Sequence, residues 1–537
     1  MSNKSIFDFW AFGKTSPPRP GQVTALEWLE KQTARYIILE APVGIGKSAI
    51  GITYSRYLAA TRGARSQKGS YVLTPQRILQ AQYEDSFKEQ KEVGLASLYG
   101  KGNYKCASKN ASCEIGSIIK PRCHNCPHSL ARDKAKSAPN TVLNYKLALT
   151  SFAYTDTFKE RQLLILDECH TVEEHLVDFD AVTIAEWRCK KYKLKWDLKT
   201  TMQGAIDYLK DSYLSQITNA VATLDAECES LLDMDARELT KRDVKKLREL
   251  NEMVEHRDNV YEISVTPFDD LSKQYVLTYD KAMMQFKRLT GAHSFRNILQ
   301  PFAETFLFMS STVLNKDGYC TDLGIDPKDA VFMSLDSEFE PEKRPVYYMP
   351  VMKMNAKWKD DDNAGNRTRM MNKVIEVINM HDDQSGIIHT GNFAIAKWLT
   401  DGLKGKINQV IYDHNPESEL DRNSVIQEFQ SSPRPAILIS PSSTEGLDLV
   451  DDAARFAIVA KVPFGFLGDQ WIKRRLSMSQ EWYQRQALIE IIQGGGRIVR
   501  SSDDWGNVYI LDQSWGYLMK MTDRMIPQWW KDAYRVV

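Results

Sequence analysis

The chain has 537 residues, 43% hydrophobic and 26% charged, with 70 Lys/Arg against 70 Asp/Glu. That length implies several domains, and the composition excludes disordered, collagenous and disulfide-stapled classes. Zero net charge excludes a global positive field, so any nucleic-acid surface must be local. No apolar run reaches the length of a membrane span, and residues 1–10 lack a signal-peptide pattern, so a cytoplasmic protein with no membrane partner is expected.

In chain order, the first strong strand pattern is Tyr36-Ile-Ile-Leu-Glu40. Ala41-Pro-Val-Gly-Ile-Gly-Lys-Ser48 follows, then a helical pattern from Ala49 to about Ala60. Strand, glycine loop, Lys-Ser and helix make a phosphate-binding P-loop. Gly44 and Gly46 let the backbone curl so that its N–H groups converge on a phosphate at a helix N-terminus. Lys47 is placed for the β- and γ-phosphates, and the Ser48 hydroxyl for Mg²⁺. Ala41 stands where the strict pattern has its first glycine.

Between Lys101 and Lys136 there are eight Lys/Arg and two acids. Tyr104 and several asparagines interleave with these charges, as phosphate tracking with occasional base stacking requires. The same stretch holds Cys106, Cys113, Cys123 and Cys126, followed by Pro127. Four thiolates this close suit a [4Fe–4S] cluster, and the same count suits tetrahedral Zn²⁺. His124 and His128, within the cluster, are expected to be exposed. Cys169, Cys189, Cys228 and Cys320 are scattered and are expected as small core residues.

A second buried strand, Leu163-Leu-Ile-Leu166, delivers Asp167-Glu168-Cys169-His170. This is Walker B geometry, with Asp167 for Mg²⁺ and Glu168 for the attacking water. Beyond it the strand pattern gives way to helices. Ile206, Leu209, Tyr213, Ile217, Ala220 and Leu224 recur at helical spacing, as do Leu239, Val244, Leu247, Leu250 and Val254, which predicts an antiparallel helical pair. In the C-terminal third, Ala436-Ile-Leu-Ile-Ser440 is a strand leading into Pro441-Ser-Ser-Thr-Glu-Gly-Leu-Asp-Leu449. Farther on, Glu490-Ile-Ile-Gln-Gly-Gly-Gly-Arg-Ile-Val-Arg500 sets Arg497 and Arg500 three apart, on one face of an expected helix. Planar guanidinium groups suit a multidentate grip on a γ-phosphate. Carried on a second lobe, they would link hydrolysis to lobe closure.

Together these segments resemble the XPD/DinG family of superfamily 2 iron–sulfur DNA helicases over nearly the whole chain. Arg19-Pro-Gly-Gln22 resembles the family's adenine-side motif, and Leu73-Thr-Pro-Gln-Arg-Ile-Leu-Gln80 resembles motif Ia. Asn144-Tyr145 resembles the Asn-Tyr before the Asp-Glu-x-His box. Met309-Ser-Ser-Thr-Val-Leu314 is similar to the Ser-Ala-Thr-Leu segment, with Ser311 where alanine is usual. Glu445-Gly-Leu-Asp448 with Lys461-Val-Pro-Phe464 is similar to motif V and its sequel, and Gln493 to Arg500 to motif VI.

The resemblance implies an α/β fold of two RecA-like lobes. Lobe 1 is expected from residues 1–99, 137–172 and 288–320, interrupted by a cysteine-cluster domain at 100–136 and a helical arch at 173–287. Lobe 2 is expected from 321–537. ATP and Mg²⁺ would lie among Gln22, Gly44, Gly46, Lys47, Ser48, Asp167 and Glu168 of lobe 1 and Asp448, Gln493, Arg497 and Arg500 of lobe 2. Single-stranded DNA would meet Thr74, Gln76, Tyr104, Asn144, Thr390, Asn392, Ser443 and Thr444. The family position of the four cysteines favours [4Fe–4S], with zinc as the lesser alternative. A monomeric motor is implied, moving 5′→3′ and unwinding forked or 5′-tailed duplexes in repair, replication or R-loop and D-loop processing. The rival expectation is a nucleic-acid-stimulated ATPase that remodels a protein–nucleic-acid complex with little unwinding. An RNA helicase is disfavoured by the resemblance alone.

Overall fold

The computed structural model describes residues 4–107, 112–113, 125–232, 241–360, 365–413, 422–432, 435–441, 451–496, 498–499 and 504–537. Parallel strands buried on both faces read as unbroken apolar runs, and the runs seen in the sequence form such strands. In the N-terminal part these are β1 (Tyr36–Glu40), β2 (Gln67–Thr74), β3 (Leu95–Ser97), β4 (Asn140–Asn144) and β5 (Arg161–Asp167). Three strands then stand apart as an antiparallel sheet in the order β6-β8-β7: β6 (Val182–Ala185), β7 (Tyr275–Tyr279) and β8 (Met283–Arg288). The chain returns with β9 (Ala303–Ser310) and β10 (Ala330–Ser334), completing a seven-stranded parallel sheet in the order β10-β1-β9-β5-β2-β4-β3.

Alternate residues of these strands enter two cores. Ile38, Tyr71, Leu73 and Leu164 face one, and Ile37, Leu39, Val72 and Leu163 face the other. That is the period-2 consequence of covering both faces. Register then sets the site. Glu40 lies beside Ser310 and Asp167 beside Met309, so the loops after β1, β5 and β9 leave the same sheet edge.

The second sheet holds β11 (Val346–Met352), β12 (Gly386–His389), β13 (Val410–Asp413), β14 (Ala436–Ser440), β15 (Phe456–Val459), β16 (Asn507–Asp512) and β17 (Tyr534–Val536). Its order is β13-β14-β12-β15-β16-β11-β17, with every pair parallel among the described residues.

Three expectations change. Lobe 1 does not end at 320, because Ala330–Ser334 pairs with β1 and closes the first sheet. The inserted segment 173–287 is not wholly helical, since β6, β7 and β8 form its base and share a core with its helices through Val182, Leu277 and Phe286. His128 is buried, not exposed, with its ring edge-on to Tyr104 at 5.4 Å. His124 lies outside the described residues.

The helical stripe runs from Met202 to Leu232, passing through a π-helical turn at Leu209–Tyr213, and packs on Lys241–Val265. Leu239 and the side chain of Val244 lie outside the described residues. Cys169, Cys189, Cys228 and Cys320 are buried, as expected.

Candidate nucleotide and nucleic-acid site

The P-loop follows β1 and opens the helix Lys47–Thr61. Gly44 and Gly46 sit at φ +84° and +83°, a left-handed conformation that favours glycine. A Cβ at Gly46 would also strike the Gln22 amide. Gln22 is buried, donates to the Ile45 carbonyl at 2.9 Å and accepts from the Arg19 N–H at 2.8 Å. Arg19 donates to the Gly44 carbonyl at 2.6 Å. The Arg19–Gln22 segment therefore braces the phosphate loop from outside, and the Gln22 side chain is engaged at both ends.

Lys47 Nζ lies 3.9 Å from Glu168 Oε1, which joins the P-loop to the end of β5. Asp167 is buried; its Oδ2 accepts from the Tyr83 hydroxyl at 3.1 Å and its Oδ1 from the Glu168 N–H at 3.1 Å. Burial first, then the charge of Glu168, pushes the Asp167 carboxyl up to about 6, against the pull of Lys47. Two acids facing one lysine fit a divalent cation, which would relieve this crowding; Asp167 and Ser48 are its expected holders. Glu168 adopts φ +48°, a strained setting for a side-chain-bearing residue. Its Oε2 lies 3.5 Å from His170 Nδ1, which in turn is 2.8 Å from Ser310 Oγ after β9.

Glu40 is a structural tie that sequence reasoning did not single out. Its carboxylate accepts from the N–H groups of Val313 and Leu314 at 2.7 and 2.6 Å and from the Ser334 hydroxyl at 2.8 Å. It thereby pins the Ser311–Leu314 turn, with Leu314 at φ +66°, to the strand that carries the P-loop. Burial raises its pKa, opposed by these donors.

The second lobe meets this turn through the helix Gln480–Gly495. Buried Gln493 donates to Ser311 Oγ at 2.8 Å and to Thr312 Oγ1 at 2.7 Å. The helix ends at Gly495. Gly494, Gly495 and Gly496 in succession weaken the helix there. Arg497, Arg500, Asp448, Ser443, Thr444 and Cys123 lie outside the described residues.

Four expected nucleic-acid contacts are hydrogen-bonded to nearby backbone. Thr74 and Thr390 are fully buried, and each hydroxyl donates to the carbonyl two residues on, Gln76 at 3.2 Å and Asn392 at 3.1 Å. The side chains of Asn144 and Asn392 cap helices, accepting from Leu147 and Ile395 at 2.8 Å each. These residues shape the helix starts after β2, β4 and β12. Gln76 and Tyr104 are half-buried, and the Tyr104 hydroxyl accepts from the Tyr99 N–H at 3.1 Å.

Among the cysteines, Cys113 and Cys126 bring their sulfurs to 3.7 Å. Burial pushes the Cys113 thiol up, and its neighbours Cys126 and Cys106 add to the rise. Adjacent thiols suit a thiolate-held metal, but among the described residues no group of three or more His, Cys, Asp or Glu converges on one point.

Comparison with known proteins agrees with this geometry. Residues 368–533 match the family described as Helicase C-terminal domain, and residues 15–218 match Type III restriction enzyme, res subunit. The ATP-dependent DNA helicase YoaA of Escherichia coli (strain K12) is 21% identical over 450 residues, 75% of this chain and 69% of that protein. The regulator of telomere elongation helicase 1 homolog of Caenorhabditis elegans is 26% identical over 106 residues, 17% of this chain and 10% of that protein. A solved XPD helicase matches with TM-score 0.59 at 15% identity, over 97% of this chain and 99% of that one. S. tokodaii Xpd4 matches with TM-score 0.54 at 12% identity, over 97% of this chain and 100% of that one. At these identities the structures speak for the fold.

Two parallel-sheet lobes with a P-loop, an acidic pair and a lobe-bridging glutamine define a two-lobed P-loop protein of the helicase class. In fold and motifs the chain resembles the XPD/DinG-like helicases of superfamily 2, and its C-terminal part matches a helicase domain.

Proposed function

We propose that this chain is an ATP-driven DNA helicase that moves 5′→3′ along single-stranded DNA and opens duplexes bearing a 5′ tail. The observation that carries the reading is the bridge from Gln493 to Ser311 and Thr312. It joins the second lobe to the turn that Glu40 ties to the P-loop strand, so occupancy of the P-loop and lobe closure become one event.

In this reading the P-loop N–H groups and Lys47 hold the β- and γ-phosphates, and Glu168 orients the attacking water. Mg²⁺, when bound, neutralises phosphate charge beside Ser48 and Asp167. Arg497 and Arg500 meet the γ-phosphate from the second lobe. DNA phosphates meet the N-termini of the helices Arg77–Ser86 and Phe393–Leu403, whose starts Thr74 and Thr390 shape in equivalent places of the two lobes. Polarity rests on the two insertions in lobe 1, before and after β5, which occupy the family's places for the cysteine domain and the arch. In the family position, Cys106, Cys113, Cys123 and Cys126 hold a [4Fe–4S] cluster that stiffens the strand-separating domain, with zinc the alternative. The printed name of the YoaA relative supports DNA as the substrate.

The test uses matched duplexes carrying either a 5′ or a 3′ single-stranded tail, with ATP and Mg²⁺. Opening of the 5′-tailed substrate is expected, weakening steeply as salt rises. Efficient opening of only the 3′-tailed substrate refutes the polarity.

A further inference from the structure

Away from the nucleotide cleft, four charged side chains of two lobes are buried together. Glu173 lies in the first turn of Val172–Phe179, the helix after the acidic pair, and Asp322 ends the helix Lys316–Asp322. Facing them are Arg475 of Gln470–Met478 and Arg485 of Gln480–Gly495. Arg475 lies 2.8 Å from Glu173 and 2.7 Å from Asp322, and Arg485 contacts the other Asp322 oxygen. Trp482 donates from Nε1 to Glu173 at 3.0 Å, and the Arg475 guanidinium lies 4.4 Å from the Trp482 ring centroid. Gly318 completes the fit, because any Cβ there would collide with the Arg485 guanidinium.

The same lobe-2 helix also reaches the arch. Trp471 donates from Nε1 to the Arg288 carbonyl of β8 at 2.7 Å, with Lys287 5.4 Å from its ring centroid. Gln470 accepts from the Tyr279 N–H of β7 at 3.4 Å. Trp471 packs edge-on against Trp482 at 5.3 Å. Arg288 pairs with Asp180, just past the end of the Glu173 helix, which closes the circuit.

A partial opening that parted these groups without admitting enough water to hydrate them would leave buried charges unpaired, at a high cost. A junction that stays closed while the nucleotide cleft opens would make the relative motion of the lobes a rotation about this point. We infer that Arg475 and Arg485 of lobe 2, with Asp322 of lobe 1 and Glu173 where lobe 1 passes into the inserted segment, form a pivot through which Trp471 passes lobe motion to the arch. These are positioning residues, and the proposal rests on the helicase reading above.

Trp471→Phe is the mild test, since it keeps an aromatic ring, though a smaller one, and removes the N–H that holds Arg288. Expected are DNA-stimulated ATP turnover and KM for ATP within twofold of wild type. Base pairs opened per ATP should fall about fivefold, the factor one interior hydrogen bond commonly carries. Arg475→Ala should lower the same ratio further, with Arg475→Lys recovering part of it. Hydrogen exchange supplies a readout independent of activity. With a non-hydrolysable ATP analogue, wild type should gain protection in β7 and β8, and Trp471→Phe should lose that gain. If turnover and opening fall in parallel, or β7 and β8 do not respond to nucleotide in wild type, the pivot is wrong. If wild type binds the analogue and protects β7 and β8 but opens no duplex, the helicase reading fails and the pivot stands.

Discussion

Replacing Gln493 by alanine removes the only two interlobe hydrogen bonds to the Ser311–Thr312 turn seen among the described residues. Both are short, and Gln493, Ser311 and Thr312 are all buried, so water cannot easily replace them. Each neutral bond contributes about 1 kcal/mol net, so the pair contributes about 2 kcal/mol to lobe closure, or about 30-fold in the closed population. Ser311→Ala, which installs the residue usual in the family, removes one bond and should lower turnover about fivefold. Because Ser311 acts through Gln493, the double variant should be no slower than Gln493→Ala alone. Steady-state ATP hydrolysis at saturating single-stranded DNA measures this as a fall in kcat. Turnover of Gln493→Ala within twofold of wild type, or losses that multiply in the double variant, would refute the reasoning.

Lys47→Ala should nearly abolish ATP hydrolysis while leaving single-stranded DNA binding intact, because it removes phosphate neutralisation and no DNA surface; filter binding and a hydrolysis assay check it. Cys126→Ser should release bound metal and lose strand separation while keeping part of the DNA-stimulated hydrolysis. Metal analysis and the visible spectrum of anaerobically purified wild type should show about four irons; colourless protein with stoichiometric zinc overturns the iron assignment. His256, in the arch core 3.0 Å from the Tyr213 hydroxyl, has its pKa pushed down to about 3 by burial and by Arg188. An unfolded histidine binds its proton near 6.5, so its contribution to stability is whole above that pH. It falls by about 1.4 kcal/mol per pH unit below it, about 2 kcal/mol by pH 5. Thermal unfolding at pH 7.5 and 5 should show a smaller acid loss in His256→Gln than in wild type, and equal losses would contradict this assignment.

What was legible in the sequence was local. The P-loop could be read because a buried strand, two left-handed glycines and a helix start are neighbours in the chain. The acidic pair could be read because four apolar residues deliver it. Glu173, Asp322, Arg475 and Arg485 gave no such signal: each is a charged residue in a polar helix, and their burial exists only once distant helices meet. Glu40 was hidden for the same reason, since its partners lie after β9 and at the end of β10. Ala330–Ser334 was missed as a lobe-1 strand because a short apolar run carries no mark of the sheet it joins. Thr74, Asn144, Thr390 and Asn392 stood at the right loops, but short polar side chains at strand–helix junctions also bond their own backbone, and here they do. The end of the helix at Gly495 was not legible from spacing, because it follows from the glycine triplet that weakens the helix there.

The most direct test of the account follows ATP hydrolysis and strand separation together on one 5′-tailed duplex with the purified chain. The account predicts that both occur, that both require the tail, and that Lys47→Ala stops both. Brisk DNA-stimulated hydrolysis with no strand separation would contradict it and leave a remodelling ATPase in its place.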